Sequence, residues 1–440
     1  MRLFTFRGGI HPPYQKELAM ERETVRPDLP KTVTVPLAQH IGAPCTPAVE
    51  NGAPVKAGQV IGEAKGFVSS PVHAPLSGKV KKIERALHPL GQKVLSVIIE
   101  SDGSDEHEYM KPLGDDPEKM EPSALNERVL QAGIVGMGGA TFPAHVKFSP
   151  PKDKPIDTLI INGCECEPYL TADYRLMLER TDDLILGARM IGRILNVKRI
   201  IIGIEKNKPA AVEKLEAADA PGIETLVTET KYPEGAEKML IRALTDREVP
   251  SGGLPMDVGV VVSNVGTAVA ICEAVRDGKP LIERVVTVTG DGVRDPGNFM
   301  VKIGTSFEEV IGYAGGTVGE TGKVVMGGPM MGLAQQNTGV PVIKGTSGIL
   351  VLKKTADMTQ EHMPCIKCSF CVQACPVHLM PSTLSIIAEA EKWERALDYG
   401  VNDCIECGCC TYVCPAKRPI VQLIKTTKVK LREIQGRKKE

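Results

Sequence analysis

The sequence predicts a multidomain α/β chain in four segments: an all-β N-terminal domain, a parallel α/β domain, a small β-rich domain and a helical C-terminal module. Three observations predict it. From about residue 30 to 100, short Val/Ile/Leu runs are cut by Gly and Pro. From about 123 to 244, strand-like and helix-like runs alternate, the mark of a parallel α/β sheet. Near the C-terminus one cysteine pattern occurs twice within otherwise helical sequence. The 440 residues suffice for about three domains at roughly 100–200 residues each, and a 42% hydrophobic content supports a sizeable core.

The first segment, 1–110, combines an N-terminal extension with the β runs TVTVPL, NGAPVKAGQVIGEAKGF, SSPVHAPLSGKVKKIE and KVLSVIIE. V-K-x-G-Q-x-I followed by A-P-x-S-G-K-V resembles the barrel-sandwich hybrid fold of biotinyl and lipoyl carrier domains. Lys65 in GEAKG falls where carriers place a modified lysine. The flanking Met-Lys-Met or Asp-Lys-Ala is missing, so a structural module is expected.

The second segment, 111–280, follows an acidic, Pro-rich linker. Ser123 caps a helix through Gln131 that Gly133 stops, and a glycine loop follows. Next come a strand over 158–162, a helix over 183–195, a strand over 199–205, a helix across PAAVEKLEAA, a strand at IETLVTE and a helix over 235–244. The third segment, 281–350, has one short helix among strands and reads as a small β-grasp domain; Met326–Met331 reads as packing or loop. In the fourth, 351–440, a helix across PSTLSIIAEAEKWERALDYG is expected, capped by Ser382 or Thr383 and ended by Gly400, with Trp393 in the core.

Net formal charge is −1, which gives no case for nucleic acid as a partner. Only the extreme C-terminus is basic (Lys425, Lys428, Lys430, Arg432, Arg437, Lys438, Lys439), read as a solvated helix end. The N-terminus lacks a signal peptide's apolar region, and no apolar run approaches the ~18 residues of a membrane span. A cytoplasmic protein able to dock on a membrane partner is expected.

Nine of the thirteen cysteines lie between Cys365 and Cys414. Cys365, Cys368, Cys371 and Cys375 spell C-x2-C-x2-C-x3-C-P, and Cys404, Cys407, Cys410 and Cys414 spell it again. This is the spacing of bacterial two-cluster ferredoxins, whose fourth cysteine serves the other cluster. Cys365, Cys368, Cys371 and Cys414 are therefore expected to hold one [4Fe–4S] cluster, and Cys404, Cys407, Cys410 and Cys375 the other. Zinc sites use paired C-x2-C without the third in-line cysteine or the Cys-Pro ending. Cys409 falls outside the spacing and is expected to pack beside a cluster. The helix between the motifs implies an α-helical ferredoxin-like module. The clusters conduct single electrons, so a donor or acceptor is expected upstream.

In GIVGMGGATFPAHVKF, Gly136, Gly138 and Gly139 let the backbone approach a phosphate or a flat ring. In INGCECEP, Asn162, Glu165 and Glu167 follow a strand, where open α/β sheets bind ligands. The loop resembles the G-R-G-G-A-G-F-P…K-W segment of the NADH- and flavin-binding subunit of respiratory complex I, and INGCECEP that family's N-A-D-E-x-E-P. YPEGAE (232–237) is similar to its G-E-E stretch and SNVGT (263–267) to its N-N-V-E-T.

The resemblance implies that Gly136, Gly138, Gly139, Lys147, Asn162, Asn264 and Thr267 hold FMN, with Lys147 facing the phosphate or the ring. It implies that Phe142 stacks on the nicotinamide or adenine, and that Glu165 and Glu237 contact NAD(H). The chain departs from the pattern at Met137 (for Arg), Thr141 (for Gly), Cys164 (for Asp) and Ala236 (for Glu), which bears on NAD(H) binding. His145 in the loop is expected to be a local hydrogen-bonding group.

The order of FRGGIHPP, APLSGKV, the complex-I-like middle, the β-grasp segment and the paired cysteine motifs resembles the C-subunit family of the Rnf complex, the membrane-bound ferredoxin:NAD oxidoreductase. That resemblance implies electron exchange between NAD(H), FMN and two [4Fe–4S] clusters, with other Rnf subunits as partners and peripheral attachment to the cytoplasmic face of the membrane. A flavin and iron–sulfur cobalamin reductase of the diol-utilisation type shares these modules and is one alternative. A non-enzymatic iron–sulfur adaptor is the other.

Overall fold

The computed structural model describes residues 3–355, 358 and 361–437. Lys438 and Lys439 of the basic tail lie outside them. The N-terminal extension does not belong to the barrel. It runs across the molecule: Phe4 bridges to Thr228, Ile10 to Tyr232, and β1 (Thr24–Val25) adds in parallel to a strand near residue 298.

The barrel-sandwich is two antiparallel sheets. One orders β2 (Thr32–Pro36), β8 (Lys93–Ser101), β7 (Gly78–Leu87) and β4 (Pro54–Val55); the other joins β3 (Thr46–Pro47), β5 (Val60–Glu63) and β6 (Val72–His73). Val33, Val35, Ile61, Val80, Val97 and Ile99 fill the space between them. Lys65 stands exposed between β5 and β6, and the same turn reaches the next domain: the Phe67 carbonyl lies 3.3 Å from His145 Nε2.

The α/β domain begins with α1 (Pro122–Gln131) and α2 (Ala144–Lys147) around the glycine loop. β9 (Thr158–Asn162), α3 (Ala172–Glu179), α4 (Thr181–Leu195), β10 (Arg199–Glu205), α5 (Pro209–Ala217), β11 (Ile223–Thr228), α6 (Glu237–Thr245), β12 (Val260–Asn264) and α7 (Val265–Arg276) follow. The parallel sheet has the order β11-β10-β9-β12, so the chain reverses its direction of travel across the sheet between β9 and β12.

Three elements differ from the sequence expectation. The strand–helix pair β12–α7 continues the domain beyond residue 244. It gives no periodic signal because it is covered all round: ten of the twelve α7 residues are buried. α3 precedes α4, the two being separated by a non-helical Arg180. The Arg180 guanidinium pairs with Asp183 and Glu273.

The third domain is a six-stranded sheet, β1-β14-β13-β17-β15-β16. It contains β13 (Glu283–Thr289), β14 (Gly297–Lys302), β15 (Thr321–Met326), β16 (Leu333–Gln335) and β17 (Gly348–Lys353), with α8 (Phe307–Tyr313) packed on it. Buried Lys344 ties this domain to two others, donating to Pro71 O at 2.8 Å in the barrel and to Gly133 O at 2.6 Å in the glycine loop.

The C-terminal module contains α9 (Phe370–Gln373), α10 (Pro381–Glu389), α11 (Cys409–Tyr412) and α12 (Ile420–Arg437). The single long helix expected between the cysteine motifs stops at Glu389 instead. Glu391 is left-handed (φ 53°), and a 3-10 stretch, Trp393–Tyr399, follows. Met380 rather than Ser382 or Thr383 is the N-cap, since Pro381 suits the first helical position. Trp393 packs against the module's core. The basic tail is not wholly solvated: Lys428 is largely buried and donates to Cys404 O at 2.6 Å and to Glu406 at 2.9 Å. Among the described residues no helix is long and apolar enough to cross a membrane.

Where α4 crosses α7, a Cβ on Gly187 would meet the Ala268 carbonyl oxygen at 1.9 Å. Gly187→Ala gains about 1 kcal/mol of helix propensity, whereas overpacking against fixed backbone costs about 3 kcal/mol. The variant is expected to unfold at lower denaturant by the difference, about 2 kcal/mol, in chemical denaturation.

Candidate functional site

Asn162 ends β9 and Asn264 ends β12, and the two are register partners. They stand at the carboxyl end of the sheet, at its topological switch point, where doubly wound sheets bind ligands. Both carboxamides are fixed. Asn162 Nδ2 donates to Gly235 O at 2.8 Å, and its Oδ1 accepts from Cys164 N at 3.1 Å. Asn264 Oδ1 accepts from Gly266 N at 2.8 Å, capping α7, and its Nδ2 donates to Asp173 at 2.7 Å.

The glycine loop closes over this pair. A Cβ on Gly138 would meet Asn264 Nδ2 at 2.6 Å, so only glycine allows the approach. A Cβ on Gly139 would meet nothing within 4 Å, so that side of the loop faces open space. Gly136 N donates to Phe142 O at 2.9 Å, which sets the loop's width. Thr267 is buried and serves the loop's backbone: its hydroxyl accepts from Met137 N at 3.0 Å and lies 3.3 Å from Val135 O. Lys147, at the end of α2, pairs with Glu237 at the start of α6 at 2.6 Å. Both side chains are about one-third exposed, 32% and 38%, a setting in which an ion pair is worth about 0–1 kcal/mol.

The two glutamates of INGCECEP are engaged by the protein itself. Glu165 accepts from Asp173 N at 2.7 Å and Tyr174 N at 3.2 Å, holding the first turn of α3. Glu167 accepts from Met330 N at 3.0 Å and Met331 N at 2.7 Å, anchoring the GGPMMG loop of the third domain. Burial pushes the Glu167 carboxyl up, and these two amides pull it back.

Residues that carry no motif hold this arrangement. Glu165 and Tyr169 adopt left-handed φ (44° and 71°), and buried Lys16 staples the turn between them. Its ammonium donates to Glu165 O (2.8 Å), Glu167 O (3.0 Å) and Leu170 O (2.5 Å), using all three of its donors. Burial lowers its pKa to about 8. Asp173 is raised to about 7 by burial and by Glu165 beside it. Glu234 is buried, with neither carboxyl oxygen partnered among the described residues, and burial pushes it to about 9. No sequence signal marks Lys16 or Asp173, whereas Glu234 lies within the YPEGAE segment.

The YPEGAE loop joins this site to the cysteine module. Tyr232 hydroxyl donates to Cys407 O at 2.8 Å, and Tyr232 packs with Cys407 and Cys409. Gly9 N donates to Ala374 O at 3.0 Å, so the N-terminal extension lies along the same joint. Cys409, the odd thiol, is buried there against the Tyr232 carbonyl. A cavity of about 1000 Å³ opens beside the joint, lined in part by Arg7, Lys238, Arg242, His378 and Asp403.

The two cysteine motifs fold alike. Positive φ falls at Lys367 and Ser369 in the first and at Glu406 and Gly408 in the second, the same offsets from the leading cysteine. His378 and Lys417, each three residues past the final cysteine, repeat it (54° and 53°). The backbone thus turns each leading cysteine triplet to one side. Cys414 and Cys368 act electrostatically on Cys371, and Cys375 acts on Cys404 and Cys410, so each motif's fourth thiol lies within electrostatic reach of the other motif. Among the described residues no three metal-ligating side chains converge as for a single ion. The donor chemistry, eight thiols in two C-x2-C-x2-C-x3-C-P motifs, fits two cubane clusters.

Four family models match the chain: the RnfC barrel sandwich hybrid domain over 4–104, the Nuo51 FMN-binding domain over 129–273, the SLBB domain over 285–334 and the 4Fe-4S dicluster domain over 364–417. The C subunit of the proton-translocating ferredoxin:NAD(+) oxidoreductase complex of Clostridium ljungdahlii is 47% identical over 439 residues, 99% of this chain and 96% of that one. Its counterpart in the Na(+)-translocating complex of Acetobacterium woodii is 47% identical over 96% of each chain. The counterpart in the ion-translocating oxidoreductase complex of Rhodobacter capsulatus is 44% identical over 100% of this chain and 85% of that one. Among solved structures, an NAD+-reducing [NiFe]-hydrogenase in the H2-reduced state aligns at TM-score 0.48 with 19% identity, covering 73% of this chain and 63% of that one.

If the fourth ligands cross, Cys414→Ser and Cys365→Ser remove the same EPR signal from anaerobically reduced protein. Cys375→Ser and Cys404→Ser then remove the other. Loss of one signal by Cys365→Ser and Cys375→Ser together would show uncrossed ligation.

Proposed function

The chain belongs to the C-subunit family of ion-translocating ferredoxin:NAD(+) oxidoreductase complexes, and on that premise we propose how its residues exchange electrons between NAD(H), FMN and two [4Fe–4S] clusters. FMN supplies the exchange between electron pairs and single electrons. Asn162 and Asn264 at the switch point, with Gly136, Gly138 and Gly139 of the loop that Thr267 fixes, would hold the flavin. Lys147, paired with Glu237 in this structure, would face the flavin's phosphate or ring, and Glu237 would contact the dinucleotide. Phe142 provides the stacking surface for the nicotinamide or adenine. Glu165 and Glu167 shape the pocket through α3 and the GGPMMG loop rather than by direct contact with NAD(H).

The observation that carries this reading is the YPEGAE loop. Gly235 O holds Asn162 at the flavin pocket, and three residues earlier Tyr232 hydroxyl holds Cys407. The cluster that Cys404, Cys407, Cys410 and Cys375 would hold is therefore the one expected beside the flavin pocket. The residues that would hold the other are more open: Cys365 and Cys368 are only half-buried, and Ile366 (64% exposed) and Phe370 (51% exposed) stand beside them. That open side would face the partner subunits of the complex, which would hold this chain at the cytoplasmic face of the membrane. The domain limits 1–110, 111–280, 281–350 and 351–440 describe the units of this path. The two relatives at 47% identity are named for different coupled ions, so overall similarity does not choose between H+ and Na+.

Anaerobic reconstitution tests the reading. It predicts one FMN and iron and sulfide for two clusters per chain, with EPR signals of reduced clusters appearing on addition of NADH. Protein with full clusters that retains no flavin and stays EPR-silent with NADH would overturn it.

A further inference from the structure

The buried carboxylate of Asp173 connects two helix N-termini at the flavin pocket. On one side, Glu165 accepts from the Asp173 amide at 2.7 Å and so seats the first turn of α3. On the other, the Asp173 carboxylate accepts from Asn264 Nδ2 at 2.7 Å. The Asn264 oxygen is already committed to Gly266 N at 2.8 Å. With both ends of its amide engaged, Asn264 cannot flip, because a flipped amide would set its N–H₂ against the Gly266 N–H and its oxygen against the Asp173 carboxylate. Gly138 approaches the same Nδ2 closely enough that no side chain fits there. The glycine loop therefore packs at Gly138 against a carboxamide whose orientation Asp173 and Gly266 set together.

We propose that Asp173 is a positioning residue for the flavin pocket, acting through Asn264 to fix the glycine loop and the N-terminus of α7. The inference rests on the flavin reading above. Asp173 lies in ADYRLMLE on α3, outside the four segments that carry the complex-I resemblance. It need not touch the cofactor itself.

A double-mutant cycle on FMN affinity tests it. Flavin is stripped anaerobically from the full chain with both clusters retained, and FMN rebinding is followed by fluorescence quenching. Asp173→Ala and Asn264→Ala are each expected to weaken FMN by about tenfold, the scale of one buried hydrogen bond. The double variant is expected within about twofold of Asn264→Ala alone, because the two residues act as one unit. Asp173→Asn keeps an acceptor oxygen for Asn264 Nδ2 and is expected to restore affinity to within about threefold of wild type.

Iron content and cluster EPR are expected to be unchanged in all variants. If Asp173→Ala does not fold, Asp173→Ser, too short to reach Asn264, replaces it in the cycle. Additive losses in the double variant, or no rescue by Asp173→Asn, would overturn the proposal. Wild-type protein that binds no FMN would instead remove the flavin reading itself.

Discussion

The joint between the α/β domain and the cysteine module centres on one buried hydrogen bond, from the Tyr232 hydroxyl to the Cys407 carbonyl. It links two modules with separate hydrophobic cores, the α/β domain and the cysteine module. Interfaces between domains of one chain allow relative motion unless something fixes them. Electron transfer needs that motion suppressed. Several contacts do this around Tyr232. Cys409 packs against its carbonyl, Gly9 bonds to Ala374 beside it, and the GGPMMG loop, held by Glu167, brings the Met330 carbonyl against Gly408. The N-terminal extension and the third domain thus clamp the joint from two sides.

The polar interior follows from the same need. Lys16, Asp173, Glu165 and Glu167 are not arranged as a catalytic set; each holds loop backbone or a loop-bearing side chain that ordinary secondary structure leaves unpaired. Buried N–H and C=O groups without partners are costly, and irregular loops at the end of a sheet create them. A lysine with three carbonyls and a glutamate with two amides satisfy those groups and fix the loops. Chemistry carried by cofactors needs little else from the protein than a shaped pocket and fixed loops.

The cysteine module was the most legible part of the sequence, because the spacing of Cys365 to Cys375 and Cys404 to Cys414 states its own geometry and the backbone repeats it. The strands β9, β10 and β11 were legible as apolar runs bounded by turn signals. β12 and α7 were not, because full burial removes the alternation that separates strand from helix. Asn162 and Asn264 could be singled out by motif, but their pairing across the sheet required its strand order. Glu165 and Glu167 could be singled out as carboxylates beyond a strand end, but the backbone amides that engage them could not. Lys16 and Asp173 left no trace, since each is a single polar residue whose partners come from distant sequence.

The family relationship makes the chain a subunit of a ferredoxin:NAD(+) oxidoreductase complex, and the joint at Tyr232 carries the proposed order in which its two clusters are used. The most direct measurement of that order is rapid-freeze EPR after mixing with NADH, comparing Cys404→Ser with Cys365→Ser, each retaining one cluster. Entry of electrons beside Tyr232 predicts that the cluster left in Cys365→Ser is reduced as fast as in wild type, whereas the cluster left in Cys404→Ser is reduced far more slowly. Fast reduction in Cys404→Ser with slow reduction in Cys365→Ser would contradict it.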